Sequence, residues 1–151
     1  MKKDNKGFSL VELIVVIAIM AVLMVVLTPA LLRYVEKGRL QSDNTAIAEI
    51  ANAAKIACAS ETINTEMATN KPVVITIPLT TPGPLTYDKT VSNFKAEMDL
   101  TIGNVALKSN TYKNATDKPT LTINVDTTTQ AVTVTGSNLV EDGVAVPSKT
   151  Y

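Results

Sequence analysis

One carboxylate stands inside the most apolar part of this sequence. Residues 8–32 contain a single charged residue, Glu12, and the apolar run from Leu13 to Leu27 is unbroken. A carboxylate in an apolar membrane helix costs free energy, so a residue of this kind usually has a functional partner. The alternative interpretation is a plain interfacial carboxylate, since Glu12 lies near the beginning of the run. The chemistry that Glu12 offers is the pairing of a buried negative charge with a cation.

Composition argues against most other chemistry. The chain has no His, which removes the commonest general base and the commonest transition-metal ligand. Its 14 basic and 14 acidic residues balance, and beyond the N-terminus no basic cluster is interleaved with aromatic residues. A lone Cys58 in an Ala-rich helical pattern is typical of a buried, inert thiol. The sequence therefore predicts no enzyme, no cofactor, no metal site and no nucleic-acid partner.

The segment that carries Glu12 is long enough to cross a membrane. At about 1.5 Å per residue, a helix over residues 8–32 spans the roughly 30 Å hydrocarbon core. Basic residues flank it on both sides, at Lys2, Lys3 and Lys6 before it and at Arg33, Lys37 and Arg39 after it. The two groups nearly balance under the positive-inside rule, and we expect the N-terminus to lie inside.

The helical pattern continues beyond this segment but becomes one-sided. Apolar residues recur at three, four or seven residues, at Leu40, Ile47, Ile50, Ala54 and Ala57. Asp43, Glu49 and Lys55 are among the positions between them, which predicts an amphipathic helix with these side chains off its apolar face. One long helix over residues 8–60 fits both patterns. Pro29 and Gly38 are expected to weaken or kink it.

The rest of the chain is rich in Thr and reads as strands. Apolar and polar residues alternate over residues 73–77, 121–125 and 132–135, and the last two segments predict a hairpin with a loop at 126–131. Shorter strands are expected around residues 98–102 and 144–146. The predicted fold class is α+β, with the amphipathic helix packed on a small antiparallel sheet.

The position of a cleavage site decides between two kinds of N-terminal signal. An ordinary secretory signal is cut after the apolar stretch at small residues, and the only candidate, ending at Ala30, is a poor match. Residues 1–23, MKKDNKGFSLVELIVVIAIMAVL, instead resemble the class III signal of type IV prepilins and pseudopilins. The resemblance lies in a short basic leader that ends in Gly7, followed by Phe8 and then by Glu12 at the edge of the apolar run.

That resemblance implies roles for four residues. Prepilin peptidase would cut after Gly7, whose missing Cβ lets an extended backbone enter a tight cleft, and would leave Phe8 as an N-methylated N-terminus. Glu12 would pair with the Phe8 amine of a neighbouring subunit. Pro29 stands where many pilins carry a helix-disrupting proline, beside which the filament helix is often extended. A simple kink in a membrane helix is the alternative for Pro29.

The resemblance also implies an organisation and a function. A leader at residues 1–7 would precede a transmembrane and filament-core helix at 8–32, an amphipathic helix at 33–60 and a β-rich domain at 61–151, as in the pilin fold. The chain would be a structural subunit of a type IV pilus, moving from the cytoplasmic membrane to a filament on the cell surface. Its partners would be prepilin peptidase, other copies of itself, the membrane and the pilus assembly platform.

Two alternatives remain at this point. A pseudopilin of a type II secretion or competence system shares every N-terminal feature. A membrane-anchored surface domain that acts as a monomer belongs to another class, and it is favoured only by the presence of a membrane helix before a small domain.

Overall fold

A computed structural model describes residues 8–79, 81–141 and 144–151 of the chain. Gly7, the predicted cleavage position, and the rest of the leader lie outside these residues. The described residues form nine elements in chain order: helices α1 (Leu10–Ala57) and α2 (Glu61–Asn70), strands β1 (Val73–Thr76) and β2 (Thr86–Tyr87), helices α3 (Ser92–Thr101) and α4 (Asn110–Lys113), and strands β3 (Thr120–Val125), β4 (Val132–Glu141) and β5 (Val144–Thr150).

The chain divides into two compact units, Met1–Val35 and Glu36–Tyr151. In the first unit the described residues from Leu10 onward are helical, and their large apolar side chains are exposed. Among the described residues α1 is the one helix that is long and apolar enough to cross a membrane. The predicted hydrophobic helix is thus present, and its apolar surface is uncovered within the subunit.

In the second unit one face of α1 is buried. Leu40, Asp43, Ile47, Ile50, Ala54 and Ala57 are all buried and recur every three or four residues. This spacing places them on one side of a helix with 3.6 residues per turn. The apolar residues among them belong to a hydrophobic core that also contains apolar residues of α2, α3, β1, β3 and β4.

In the part of the chain that the structure describes, the sheet has five strands in the order β2-β1-β3-β4-β5, and every neighbouring pair is antiparallel. Burial alternates along β1 and β3, as expected for strands with one face on a core. The predicted hairpin is confirmed, with Val125 of β3 opposite Val132 of β4. In the loop between them the Asp126 carboxylate accepts the amides of Thr128 and Thr129, each at 2.8 Å. The α+β prediction of a long helix with an antiparallel sheet is confirmed.

Two local predictions are wrong. The strand expected around residues 98–102 is instead the end of α3, because Phe94 and Met98, one helical turn apart, both pack into the core. Asp43 was placed off the apolar face by its charge, yet it is 3% exposed and lies on the buried face between Leu40 and Ile47. The strand expected around residues 144–146 is present as the beginning of β5.

Candidate processing and assembly site

The first turn of α1 is closed by a reciprocal pair of side chains. The Ser9 carbonyl accepts the Leu13 amide at 3.2 Å, which makes Ser9 the N-cap residue. The Ser9 hydroxyl accepts the Val11 amide at 3.3 Å, and the Glu12 carboxylate, through Oε2, accepts the Ser9 amide at 2.9 Å. This arrangement is a variant of the capping box, with the serine hydroxyl on the second helical amide instead of the third, and two side chains satisfy two backbone donors without helical partners.

The cap determines where the Glu12 carboxylate lies. Glu12 is exposed, and its Oε2 atom is held against the backbone at the beginning of the helix. Phe8 directly precedes the cap and is 92% exposed. A negative side chain in the first turn also interacts favourably with the partial positive charge of the helix N-terminus. The structure therefore brings Phe8, Ser9 and Glu12 together at one end of α1.

Pro29 lies elsewhere on the helix, about five turns beyond Glu12. The helix continues through Pro29 without a break. Because Pro has no amide hydrogen, the Val25 carbonyl receives no bond from residue 29. The preceding residue, Thr28, donates its hydroxyl to the Met24 carbonyl at 2.6 Å, a contact that often bends helices. The two neighbouring residues thus weaken the same turn of the backbone ladder.

Sequence reasoning missed Ser9, although the signal was present. Ser9, Leu10, Val11 and Glu12 form the pattern Ser-x-x-Glu directly before an apolar run, which is the sequence signature of a capping box.

A second set of polar contacts joins α1 to α4 within the domain. The Asp43 carboxylate accepts the Lys108 amide at 2.9 and 3.0 Å and the Ser109 amide at 2.7 Å. Glu36, two turns earlier on α1, accepts the Thr111 amide at 3.1 Å. These backbone donors lie at the beginning of α4, where helix amides have no partners within the helix.

Asn44 extends this set to the sheet. Its side chain donates to the Val140 carbonyl at 2.8 Å and accepts the Tyr112 hydroxyl at 2.7 Å. The Tyr112 hydroxyl in turn accepts the Val140 amide at 3.0 Å, which closes a ring of three residues. Burial is the main cause that raises the pKa of Tyr112. The phenol therefore stays protonated, as its role as donor requires.

Cys58 directly follows the last residue of α1 and is fully buried. Burial raises the pKa of its thiol to about 11. Because the thiolate is the reactive form, this environment makes the thiol inert at neutral pH. The buried position predicted from the sequence is confirmed.

Comparison with protein families identifies the N-terminal segment. Residues 2–28 match the model of the prokaryotic N-terminal methylation motif. The match includes Gly7, Phe8 and Glu12, and it ends one residue before Pro29. The chain carries the class III signal that is the hallmark of type IV pilins and pseudopilins. No curated protein and no solved structure matches the chain.

This match supports a type IV pilin-like or pseudopilin precursor. Pilins and pseudopilins are structural proteins rather than enzymes. A signal of this type implies processing by prepilin peptidase and assembly into filaments. The apolar N-terminal helix fits anchoring in a membrane before a place in a surface filament.

Proposed function

We propose that this chain is a structural subunit of a type IV pilus, cut after Gly7 by prepilin peptidase and methylated at the new amine of Phe8. The observation that supports this function best is the exposed apolar surface of α1 in the first unit, most of which lies within the matched residues 2–28. Exposed apolar surface of this extent needs a cover, which a bilayer supplies before assembly and neighbouring helices supply in a filament.

The proposed division of the chain follows the same logic. Residues 1–7 are the leader, residues 8–32 cross the membrane and later form the filament core, and residues 33–60 belong to the domain that residues 61–151 complete. The subunit begins in the cytoplasmic membrane with its N-terminus inside. Its partners are prepilin peptidase, the assembly platform and other copies of itself.

Glu12 is the proposed assembly residue. An ammonium group buried in an apolar helix bundle is strongly disfavoured unless an anion meets it. The Phe8 amine freed by cleavage would be such a group, and Glu12 of a neighbouring subunit would be its partner. The charge pair would also select the axial register of the subunits, because a subunit shifted along the bundle leaves both charges without partners.

Pro29 is proposed to let α1 extend locally when the subunit enters the filament. The support is the weakened turn around it, where Val25 lacks an amide donor and Thr28 bonds back to Met24. Electron microscopy of the assembled filament measures this directly. A helix that runs unbroken through Pro29 in the filament would contradict the proposal.

The decisive experiment is N-terminal sequencing of the mature protein from sheared surface filaments. We expect Phe8, with a methylated amine, as the first residue. A retained leader or a cut near Ala30 would refute the processing step and favour a membrane-anchored monomer. Gly7→Val is the matching variant, and we expect it to remain in the membrane at the full 151-residue length.

The Glu12 variants test assembly separately from processing. Glu12→Ala and Glu12→Gln both remove the charge without hindering membrane insertion, since each makes the segment less charged. We expect normal cleavage, accumulation of mature subunit in the membrane and a sharp fall in sheared filaments. If both variants gave the wild-type yield of filaments, the pairing role would be refuted and Glu12 would be a plain interfacial carboxylate. Short periplasmic or envelope-bound filaments in place of long surface ones would favour a pseudopilin.

A further inference from the structure

The capping box gives Glu12 a partner inside its own subunit. Among the described residues, only the Oε2 atom of this carboxylate accepts a hydrogen bond, and the donor is the Ser9 amide. The hydroxyl of Ser9 completes the exchange by accepting the Val11 amide. A side chain with several rotatable bonds is therefore fixed against the backbone before any other subunit arrives.

We propose that Ser9 is a positioning residue for assembly: its hydroxyl caps the Val11 amide and so fixes the backbone at the beginning of the helix. The Ser9 amide, held in that place, keeps the Glu12 carboxylate at the helix N-terminus, with Oε1 left to meet the Phe8 ammonium of a neighbouring subunit. This inference rests on the proposed pairing of Glu12 with Phe8. The contribution of Ser9 is to orient Glu12, and Ser9 itself makes no contact with the incoming charge.

Membrane physics gives the cap its importance. Without water in the hydrocarbon region, each unpaired backbone amide is costly, and the first turn of any helix has four such amides. The cap satisfies the Ser9 and Val11 amides and at the same time places a carboxylate where the helix dipole favours it. The subunit can thus hold Glu12 near the membrane edge in one orientation while it waits in the bilayer.

Orientation before contact also favours the later pair. Ordering a long side chain costs conformational entropy. In the free subunit the capping box has already ordered the Glu12 side chain. When a neighbouring amine reaches Glu12, less freedom remains to be lost, so the pair forms more readily. If the cap instead competed with the charge pair, removing the Ser9 hydroxyl would increase filament yield. The proposal predicts a decrease, so the two possibilities can be distinguished by experiment.

The first measurement follows the cap itself. Amide exchange is measured on the mature, full-length subunit in detergent micelles, at the Ser9 and Val11 amides. An N-cap contributes about a factor of five in local stability. We therefore expect about fivefold faster exchange of Val11 in Ser9→Ala and of Ser9 in Glu12→Ala. Glu12→Gln keeps an acceptor oxygen, and its Ser9 amide should stay within about twofold of wild type.

The second measurement follows assembly. Sheared filaments are quantified relative to mature subunit in the membrane, so that any effect of Ser9 on cleavage is removed from the comparison. We expect Ser9→Ala to lower this ratio several-fold although Glu12 is intact, and Ser9→Thr and Ser9→Asn, which also cap helices, to restore it. Ser42→Ala, at an exposed serine in the interior of the same helix, is the matched control and should assemble as wild type.

The outcomes distinguish the effect of the cap on assembly from the effect of the Glu12 charge. Glu12→Gln should keep amide protection and still lose filaments, because it retains the cap and lacks the charge. A Ser9→Ala subunit that assembles as well as wild type, or better, overturns the positioning role. Unchanged exchange of the Val11 amide in Ser9→Ala overturns the cap. If the wild-type chain forms no filaments at all, the proposed function fails, whereas the exchange data still report on the cap.

Discussion

Asp43 offers the sharpest test of how the domain is held together. Its carboxylate is 3% exposed and accepts the amides of Lys108 and Ser109 at 2.7 to 3.0 Å. A charged group is stable in a core only when hydrogen bonds replace its lost hydration. Replacing Asp43 therefore removes a carboxylate that the surrounding backbone was arranged to satisfy.

The magnitude follows from the donors left behind. A hydrogen bond to a charged group contributes about 1.5–3 kcal/mol, and a buried donor without a partner costs about 1–3 kcal/mol. Ser109 is fully buried, so its amide has no access to water, whereas Lys108 is exposed. We expect Asp43→Ala to lower the free energy of unfolding by about 3–5 kcal/mol. Asp43→Asn keeps one acceptor oxygen and should lose about 2 kcal/mol.

Urea unfolding of a fragment of residues 33–151, followed by far-UV circular dichroism, measures this difference. Glu49→Gln is the matched control, because Glu49 is an exposed carboxylate on the same helix. A surface change of this kind should stay within about 0.5 kcal/mol of wild type. The reasoning is refuted if Asp43→Ala loses no more than the control does. Amide exchange should also rise first at Lys108 and Ser109, where the partner was removed.

Three further predictions concern the same domain. The fragment of residues 33–151 should be soluble, monomeric and folded by gel filtration and circular dichroism, and its aggregation would show that residues 8–32 contribute to the core. Gly38→Ala should raise the free energy of unfolding by about 0.5–1 kcal/mol, because Gly38 is helical and a Cβ there meets nothing within 4 Å; a lower melting temperature would contradict this. Cys58, with its pKa raised from 9.0 to about 11, should carry about 100-fold less thiolate at pH 8 than a free thiol and react with a disulfide reagent only after unfolding. Because the unfolded chain releases this proton near pH 9 and the folded one only near pH 11, the free energy of unfolding should fall as pH rises between these values; a flat profile there would refute the burial argument.

Long, periodic patterns in the sequence predicted the fold well. The helix expected over residues 8–60 is observed as Leu10–Ala57, and the hairpin expected over 121–135 is observed with its loop in place. Both depend on local spacing, which can be read directly from the sequence.

Short elements were harder to predict. The strand expected around residues 98–102 is part of α3, because Phe94 and Met98 repeat at helical spacing and burial in the core selects the helix.

The polar contacts of the domain could not be predicted from local spacing. Asp43 bonds to residues 65 and 66 positions later, and a charge in an amphipathic pattern normally indicates the solvent face. Only the folded chain shows that α4 brings unpaired amides to that point. Ser9 differs, because its partners lie within three residues and the Ser-x-x-Glu pattern was available in the sequence.

These polar contacts fix how α1 is rotated in the domain. α4 has only four residues, which is too short for a helix to be stable alone, so its conformation depends on partners outside it. Glu36 and Asp43 are seven residues apart and lie on one face, from which both reach amides of the segment that begins α4. A shift of α1 by one residue would turn both carboxylates by about 100° and leave them and the amides without partners. The same shift would also turn the apolar face of α1 out of the core. The two carboxylates therefore favour the same rotation of α1 that burial of its apolar face requires.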